Sequence, residues 1–313
     1  MRVIKGLEGL RKKYKSVVLT IGNFDGVHIG HRKIFDAVTS RAKEIGGASA
    51  ALTFEPHPMK VISPEKGIRI LTPTEEKIRL IESLGVDALI LINFNREFAG
   101  IDPDDFIRDV LVGKIGASDV IVGHNYAFGR GKKGTTALLR RRGRKYGFNV
   151  KVVRNARLGG NVVSSSHIRG LLLKGRVSEA SRYLGRPYMI EGTVIKGAGR
   201  GEKLLGIPTA NIETPSELIP KEGVYAVKVG FGGRPYDAVL NIGCNPTFGC
   251  AKLGCEAHIL KFKGNILGRN LRVYFIKRIR DEIAFPDAYS LGRRINEDIE
   301  RAKEILGKGK LHL

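Results

Sequence analysis

The chain has 313 residues, 42% of them apolar, and its 54 Lys and Arg against 31 Asp and Glu give a formal net charge of +23. This length suits two globular domains, and the lack of any run of eighteen apolar residues argues against a membrane span. Three cysteines are an odd number for so long a chain, which argues against a disulfide framework and predicts a reducing, cytoplasmic setting.

The first fifteen residues, MRVIKGLEGLRKKYK, form a basic segment. This segment lacks the continuous apolar core of a signal peptide. We therefore predict an exposed amphipathic helix that leads into the first strand.

The stretch SVVLTIGNFDGVHIGHRKIFDAV, residues 16–38, predicts a strand, a tight turn and a helix. Its β-branched opening is typical of a buried parallel strand, and the chain breaks at Gly22 and Gly26. The first N–H groups of the helix have no partner within it, so they favour an anion. His28 and His31 share one helical face, where imidazoles can bind phosphate oxygens and stabilise the charge that grows during attack at phosphorus.

Two other roles remain open for this histidine pair. One or both rings can simply pack or cap the helix, which is the usual role of a lone histidine. Histidines at i and i+3 can also share a zinc ion, although no nearby Cys or further His completes a tetrahedral set. The spacing by itself does not separate these roles from phosphate binding.

The motif T-I-G-N-F-D-G-V-H-I-G-H resembles the signature of the nucleotidylyltransferase superfamily. In this long form it is similar to that of bacterial bifunctional riboflavin kinase/FAD synthetases. The resemblance implies an ATP site for adenylyl transfer that includes Gly22, Phe24, Asp25, Gly26, His28 and His31. It also implies that the two histidines are catalytic.

The next segment, GGASAALTFEPHP, predicts a second strand that ends in a loop. It matches the second motif of the family, T-F-x-P-H-P, and the resemblance implies that His57 contacts the flavin. Prolines on both sides of His57 keep it out of a helix, and a surface histidine held by prolines is the alternative. Alternating elements follow, namely a helix over 74–84, a strand over 86–93, a helix over 102–112 and a strand over 119–122.

The loop G-H-N-Y-A-F-G-R-G-K-K-G follows the last of these strands and fits the third family motif. Asn125 can hold a ribose hydroxyl or a phosphate oxygen, and Lys132 and Lys133 add positive charge. The resemblance implies that Asn125 contacts both ATP and the flavin. A plain basic turn is the alternative.

The segment S-S-S-H-I-R, residues 164–169, resembles the family's S-S-T-x-I-R, with Ser166 in place of Thr. Hydroxyls and free N–H groups at a helix start, with an arginine in the first turn, can bind a pair of phosphates. The resemblance implies that Ser164, Ser165 and Arg169 bind ATP. A serine-capped helix with a surface arginine is the alternative.

The positive charge is concentrated between Asp119 and Glu179, where fourteen Lys and Arg occur without a carboxylate. Such a run attracts polyanions, which keeps a nucleic-acid-binding protein under consideration. Few aromatic residues interleave with the charges, and no nucleic-acid module is recognisable. A solvated basic face that also attracts ATP is the simpler interpretation.

The pattern of elements changes near residue 186. Alternating strands and helices over 16–176 predict an α/β doubly wound parallel sheet with ligands at the carboxyl ends of its strands. Beyond the change, short strands separated by Gly and Pro predict a small antiparallel β-barrel with a C-terminal helix over 286–305. We place the strands at 188–195, 223–229, 237–242, 255–262 and 271–278. The predicted domains are therefore 1–186 and 187–313.

A glycine-rich loop, G-A-G-R-G-E-K-L-L-G-I-P-T-A-N, opens the second domain. It resembles the phosphate loop and P-T-A-N motif of riboflavin kinases. The resemblance implies a second ATP site that comprises Gly197, Gly199, Gly201, Thr209 and Asn211. Glycines allow backbone N–H groups to approach phosphates. The resemblance also makes Thr209 a ligand of Mg²⁺, an ion that prefers hard oxygen ligands and substrate phosphates.

The strand C-E-A-H-I-L, which follows N-I-G-C-N-P-T-F, resembles the family strand that carries the catalytic glutamate. Glu256 would take the proton from the ribityl hydroxyl as it attacks the γ-phosphoryl group. A solvent-facing strand glutamate is the alternative. The segment R-D-E-I-A-F also matches the family, which implies that Arg280 lines the flavin site. Departures occur at Lys261, Lys263, Asn265 and Leu267, where the family has D-F-x-x-D-L-Y-G.

The resemblance extends over about residues 15–305 with six motifs in family order. It implies an enzyme that phosphorylates riboflavin with ATP to FMN and then joins FMN to AMP, giving FAD and pyrophosphate. Two alternatives remain, an adenylyltransferase with an inactive barrel and an RNA-binding protein on this scaffold. The expected partners are riboflavin, FMN, ATP and Mg²⁺ rather than a membrane or a nucleic acid, and the oligomeric state is left open.

Overall fold

The computed structural model describes residues 1–7, 11, 14–197, 206–244 and 253–307. Its contacts divide the chain into two compact units, which we call the first unit (Met1–Ser165) and the second unit (Ser166–Leu313). This grouping assigns the two helices that precede residue 186 largely to the second unit. The boundary after residue 186 was inferred from composition, and it stays a prediction.

The first unit contains a six-stranded sheet whose neighbouring strands all pair in parallel, in the order β1-β4-β3-β2-β5-β8. Its strands, with those of two short hairpins, are β1 (Arg2–Lys5), β2 (Val17–Ile21), β3 (Ala48–Glu55), β4 (Ala88–Asn93), β5 (Ala117–Gly123), β6 (Ala127–Phe128), β7 (Gly134–Thr135), β8 (Asn149–Val153), β9 (Arg157–Leu158) and β10 (Asn161–Val162). Strand β2 lies between β3 and β5, so the order reverses beside it. Such a switch point forms a crevice at the carboxyl ends of the strands, where α/β proteins bind ligands.

Helices cover both faces of this sheet, as two separate apolar clusters demonstrate. The helices are α1 (Ile29–Glu44), α2 (Pro58–Ile62), α3 (Thr74–Glu82), α4 (Arg96–Ala99), α5 (Pro103–Asp105), α6 (Thr136–Tyr146), a π-helix (Phe106–Ile115) and two 3₁₀ turns (Pro64–Lys66 and Arg130–Lys132). On one face Phe35 and Ile81 pack with Leu89, and on the other Leu111 and Leu139 pack in a larger cluster. The predicted doubly wound parallel sheet is therefore confirmed.

The N-terminal prediction of a helix was wrong for residues 2–5, whereas Arg11 is helical. Arg2–Lys5 forms β1, which lies at the edge of the sheet and pairs in parallel with β4. Between Arg2 and Lys5 the apolar run consists of Val3 and Ile4, which is too short to indicate a strand. The pairing satisfies backbone groups of β4 that an edge strand would leave exposed.

The helix predicted over 102–112 is present, but most of it is a π-helix. Its buried side chains are Phe106, Ile107, Val110, Leu111 and Ile115. They recur every four to five residues, which is wider than the 3.6-residue repeat of an α-helix. The wider turn therefore keeps all five on the face that meets the sheet.

The second unit contains a closed antiparallel barrel in the order β11-β12-β15-β14-β13-β16. Its elements, with a helix that begins at the end of the first unit, are α7 (Ser165–Leu173), α8 (Val177–Leu184), β11 (Tyr188–Ile195), β12 (Ala210–Glu213), β13 (Gly223–Phe231), β14 (Arg234–Cys244), β15 (Leu253–Ile259), β16 (Asn270–Arg280) and α9 (Ala288–Leu306). Ala302 and Leu306 of α9 pack against Val224 and Ala226 of β13. The predicted barrel, its five strand positions and the C-terminal helix are confirmed. Strand β12 was missed because its four residues are too few to establish an alternating pattern.

Candidate active sites

The two predicted catalytic histidines lie together at the start of α1, directly after the turn that follows β2. The Nδ1 atom of His28 accepts a hydrogen bond from the backbone N–H of His31 at 3.3 Å, so His28 caps the helix. The two rings stack with their centroids 3.6 Å apart and their planes inclined by 13°. Capping uses Nδ1 of His28, so it is compatible with phosphate binding by the opposite edge of the ring.

The turn before these histidines holds two residues in left-handed conformations. Phe24 and Val27 have φ angles of +48° and +36°, which cost non-glycine residues about 1–3 kcal/mol each. The buried ring of Phe24 meets the ring of His31 edge-on, with centroids 5.3 Å apart. A Cβ atom on Gly22 would lie 2.9 Å from the Phe24 ring. Phe24 therefore forms the surface on which the His31 ring packs, and Gly22 leaves room for the Phe24 ring.

Asp25 and Gly26 are buried in the same turn, and Asp25 is directed away from solvent. The Asp25 carboxylate accepts hydrogen bonds from the backbone N–H groups of Leu71 and Thr72 at 3.0 and 3.2 Å. The hydroxyl of Ser165 donates to the Asp25 carbonyl at 2.9 Å. The first and fourth sequence motifs are therefore in direct contact.

The second and third motifs lie at the same sheet edge. His57 follows β3, is half-buried, and accepts a hydrogen bond from the N–H of Met59 at 3.2 Å, which caps α2. Asn125 is exposed in the turn between β5 and β6. Because β2, β3 and β5 are neighbours with their carboxyl ends at one edge, the loops that carry His28, His57 and Asn125 converge there.

The remaining residues of the fourth motif are divided between the two units. Ser164 is half-buried and directly precedes α7 in the first unit. Arg169 lies on α7 within the second unit, where it is half-buried. Its contact with ATP stays a prediction.

An aromatic cluster at this edge was missed by the sequence analysis. Successive ring centroids lie 5.3–6.1 Å apart through Phe54, Phe94, Phe98, Phe106, Phe128 and Tyr126. Phe54 and Phe98 are partly exposed, so a planar ligand can stack on them. These residues come from six different loops and elements, so no spacing in the sequence indicates that they are neighbours. Burial of the Tyr126 hydroxyl raises the pKa of that group well above its usual range.

The second unit contains a cavity of about 570 Å³ beside the P-T-A-N motif. Gly197, Thr209 and Asn211 line it, as does the segment 262–267. A cavity of this size is typical of small-ligand sites. Gly199 and Gly201, which belong to the same prediction, lie outside the described residues.

Glu256 lies in a row of polar residues across three strands of the barrel. It pairs in register with Asn211 of β12 on one side and with Asn241 of β14 on the other. Its chain neighbours Cys255 and Ala257 are buried, so strand alternation places Glu256 on the outer surface, where it is half-buried. Burial raises the pKa of the Cys255 thiol to about 12, which makes it an inert thiol at neutral pH.

Two close contacts hold the P-T-A-N motif in place. The Nδ1 atom of His258 lies 2.8 Å from the carbonyl oxygen of Pro208. A Cβ atom on Gly197 would lie 1.9 Å from Nδ2 of Asn211, so only glycine fits there. The P-T-A-N motif therefore has a defined position against β15. Neither His258 nor Asn241 was singled out from the sequence, although both lie within quoted motifs.

Arg280, predicted to line the flavin site, contacts the C-terminal helix. Its Nε atom lies 3.1 and 2.9 Å from the carboxylate oxygens of Asp298, which is buried. Its guanidinium also lies over the Phe285 ring, 5.7 Å from the centroid. These contacts join β16 to α9, and a flavin contact by Arg280 stays a prediction.

The basic run is largely a solvent-facing surface of α6. Arg140, Arg141, Arg144 and Lys145 are all exposed, as expected of a solvated basic face. Arg142 instead pairs with Asp104. Within the described ranges, no group of three or more His, Cys, Asp and Glu could hold a metal ion. The helices of those ranges include none that is long and apolar enough to cross a membrane.

Two family models match the chain one after the other. The model for FAD synthetase matches residues 10–167, and the model for riboflavin kinase matches residues 184–306. The chain is 34% identical over 312 residues to the bifunctional riboflavin kinase/FMN adenylyltransferase of Escherichia coli strain K12, covering 99% of both proteins. It is 35% identical over 304 residues to the protein of the same name from Haemophilus influenzae, covering 97% of this chain and 98% of that protein.

A solved structure matches over nearly the same length. The crystal structure of a protein from Streptococcus pneumoniae, named a macrolide-efflux protein, has a TM-score of 0.87 and 28% identity. The match covers 97% of this chain and 99% of that chain. It supports the succession of a parallel sheet and a barrel along one chain.

Proposed function

This chain belongs to the family of bifunctional riboflavin kinase/FMN adenylyltransferases, and we propose that the two sites described above carry out its two reactions. The C-terminal domain phosphorylates riboflavin with ATP to give FMN and ADP. The N-terminal domain joins FMN to the AMP part of a second ATP, which gives FAD and pyrophosphate. The assignment of residues to these steps is supported by the polar row around Glu256 and by the histidine pair at the start of α1.

In the kinase reaction, Glu256 acts as the general base. The ribityl hydroxyl oxygen attacks the γ-phosphorus of ATP, the bond from that phosphorus to the bridging oxygen breaks, and ADP leaves. Glu256 accepts the hydroxyl proton during this attack. Asn211, the register neighbour of Glu256, lies at the cavity and binds the phosphates together with the backbone at Gly197. This arrangement brings the base and the phosphate site together on one barrel surface.

Magnesium fits the same site by the chemistry of its donors. The exposed hydroxyl of Thr209 and the amide oxygen of Asn211 line the cavity, with the carboxylate of Glu256 on the adjacent strand. Mg²⁺ prefers such hard oxygen ligands with waters and substrate phosphates completing its shell. When bound, the ion would offset the negative charge of ATP.

In the adenylyl transfer, FMN supplies its own nucleophile. A phosphate oxygen of FMN attacks the α-phosphorus of ATP, and the bond to the β-phosphate oxygen breaks as pyrophosphate leaves. The protein therefore has to orient the two substrates and stabilise charge. His28 and His31 donate hydrogen bonds to the transferring phosphate, while Asn125, Ser164, Ser165 and Arg169 hold ATP. His57 and Asn125 contact FMN.

The isoalloxazine ring of FMN is placed against the partly exposed rings of Phe54 and Phe98. Both rings lie at the carboxyl edge near the loop that holds His57. Planar aromatic ligands stack on such rings. The protein is assigned to the cytoplasm, which suits its buried Cys255 thiol and its ATP-dependent reactions.

Replacing Thr209 by Ala should raise the Mg²⁺ concentration needed for half-maximal FMN formation by about tenfold, because one direct oxygen ligand is lost. The test is a titration of Mg²⁺ in the kinase assay at saturating riboflavin. FAD formation from added FMN provides the control in the same sample and should be unchanged. An unaltered Mg²⁺ requirement for FMN formation would remove Thr209 from the metal site.

Replacing Gly197 by Ala should raise the KM for ATP in FMN formation by roughly tenfold or more. The added methyl group would occupy the place of the Asn211 amide, so Asn211 has to move. Gly170→Ala is the matched control, because a Cβ atom there meets nothing within 4 Å and lies in a helix. Equal KM values for the two variants would show that Asn211 does not bind ATP.

A further inference from the structure

Lys77 is a buried cation that neither reaction, as described above, uses directly. It lies on the inner side of α3 and is only 5% exposed. Lysine is rarely buried to this extent, because removing an ammonium group from water is unfavourable unless partners compensate. The groups that surround Lys77 therefore indicate the role of its charge.

The partners of Lys77 belong to two of the loops at the carboxyl edge. Its Nζ atom donates to the carbonyl oxygen of Phe54 at 3.4 Å, near the end of β3. Burial lowers the pKa of the Lys77 ammonium, while the charges of Glu55 and Asp25 act in the opposite direction. Glu55 follows Phe54, and Asp25 belongs to the turn before His28. One ammonium group thus interacts with both loops.

The start of α3 is hydrogen-bonded to the same two loops. The Asp25 carboxylate accepts hydrogen bonds from Leu71 and Thr72, which lead into the helix. The Glu55 carboxylate accepts a hydrogen bond from the hydroxyl of Thr74, the first residue of the helix. Helix α3 therefore connects the turn after β2 to the end of β3. Lys77 contributes the positive charge at this connection.

We propose that Lys77 is a positioning residue for adenylyl transfer. It fixes the position of the loop that carries His57 relative to the turn that leads into His28 and His31. The inference rests on the proposed assignment of adenylyl transfer to that edge. Lys77 contacts the backbone of Phe54, and the chain reaches His57 three residues later. A shift of the Phe54 carbonyl would displace FMN relative to the histidines, and misplacement by about 1 Å can cost a hundredfold in rate.

The test compares Lys77→Met with Arg79→Met, since Met keeps most of the length of either side chain without the charge. Arg79 lies on the same helix, is exposed and pairs with Glu76. We expect Lys77→Met to lower kcat/KM for FMN in FAD formation by about ten- to a hundredfold. Arg79→Met should leave it unchanged, and both variants should form FMN from riboflavin at the wild-type rate. Lys77→Arg, which keeps the charge, should recover part of the loss.

A pH profile separates a role of the charge from a role in packing. The pKa of Lys77 is lowered, so its ammonium loses the proton at a pH below that of an ordinary lysine. The rate of FAD formation should therefore fall as the pH rises through that pKa, and this alkaline limb should be absent from Lys77→Met. The charged groups that act on Lys77 are the carboxylates of Asp25 and Glu55.

Lys77→Met with a wild-type kcat/KM for FMN would overturn the proposal. If Lys77→Met does not fold, as judged by thermal unfolding, Lys77→Arg and the wild-type pH profile still test the proposal. A wild-type profile without the alkaline limb contradicts the proposed role. Failure of the underlying site assignment is distinguishable. In that case His28→Asn would retain FAD formation, whatever the result at Lys77.

Discussion

Replacing Glu256 by Ala is expected to lower the rate of FMN formation by roughly 10²–10⁴-fold, the contribution typical of a general base. FAD formation from added FMN should stay within a factor of about two of wild type, because the N-terminal site is separate. The measurement is the initial rate of each reaction with saturating ATP and Mg²⁺. The half-buried position of Glu256 beside Asn211 and Asn241 is the reason to expect so large an effect.

The matched control is Glu213→Ala. Glu213 is an exposed glutamate at the end of β12, two residues beyond Asn211, and it does not line the cavity. Its replacement should leave both reactions unchanged. Retained FMN formation in Glu256→Ala, or loss of both activities in a folded protein, would refute the assignment of Glu256 as the base of the kinase alone.

Replacing His28 by Asn is expected to abolish FAD formation, with a loss of about 10²–10³-fold or more, and to spare FMN formation. Asparagine is among the best N-cap residues, so it can accept the hydrogen bond from the His31 N–H that His28 now accepts. The variant therefore removes the imidazole without removing the cap. Initial rates of FAD formation from FMN and thermal unfolding should be measured on the same preparation.

His28→Ala completes this comparison. It removes both the imidazole and the cap, so it should be as inactive as His28→Asn in adenylyl transfer and about 1 kcal/mol less stable. If His28→Asn instead forms FAD at the wild-type rate, capping is the role of this histidine. The stacked geometry with His31 would then have to be explained by packing.

The elements that were predicted correctly have a strong local pattern. The β-branched run of β2, the glycine turn and α1 follow directly from residues 16–38, and the barrel strands alternate clearly. Strand β12 was missed because it has only four residues. The helix over 102–112 was predicted, but its π-helical geometry was not. Local patterns thus sufficed for the fold class but not for short or irregular elements.

Contacts between distant residues could not be predicted from local patterns. Lys77 has the sequence of a surface helix, T-E-E-K-I-R, and only the placement of α3 reveals that it is buried. Asp25 was predicted to bind ATP from its motif, whereas its carboxylate contacts the backbone of residues 71 and 72. This contact favours a positioning role for Asp25. The motif groups these residues without indicating what each of them contacts.

The central claim, that two separate sites perform the two reactions, is tested most directly by mixing the two inactive variants. His28→Asn and Glu256→Ala are combined with riboflavin, ATP and Mg²⁺, and the flavins are separated by chromatography over time. Each variant alone should fail to make FAD from riboflavin, the first stopping at FMN and the second leaving riboflavin unchanged. The mixture should accumulate FMN and then convert it to FAD. A mixture that forms no FAD, although each variant is folded and keeps its expected single activity, would contradict the account.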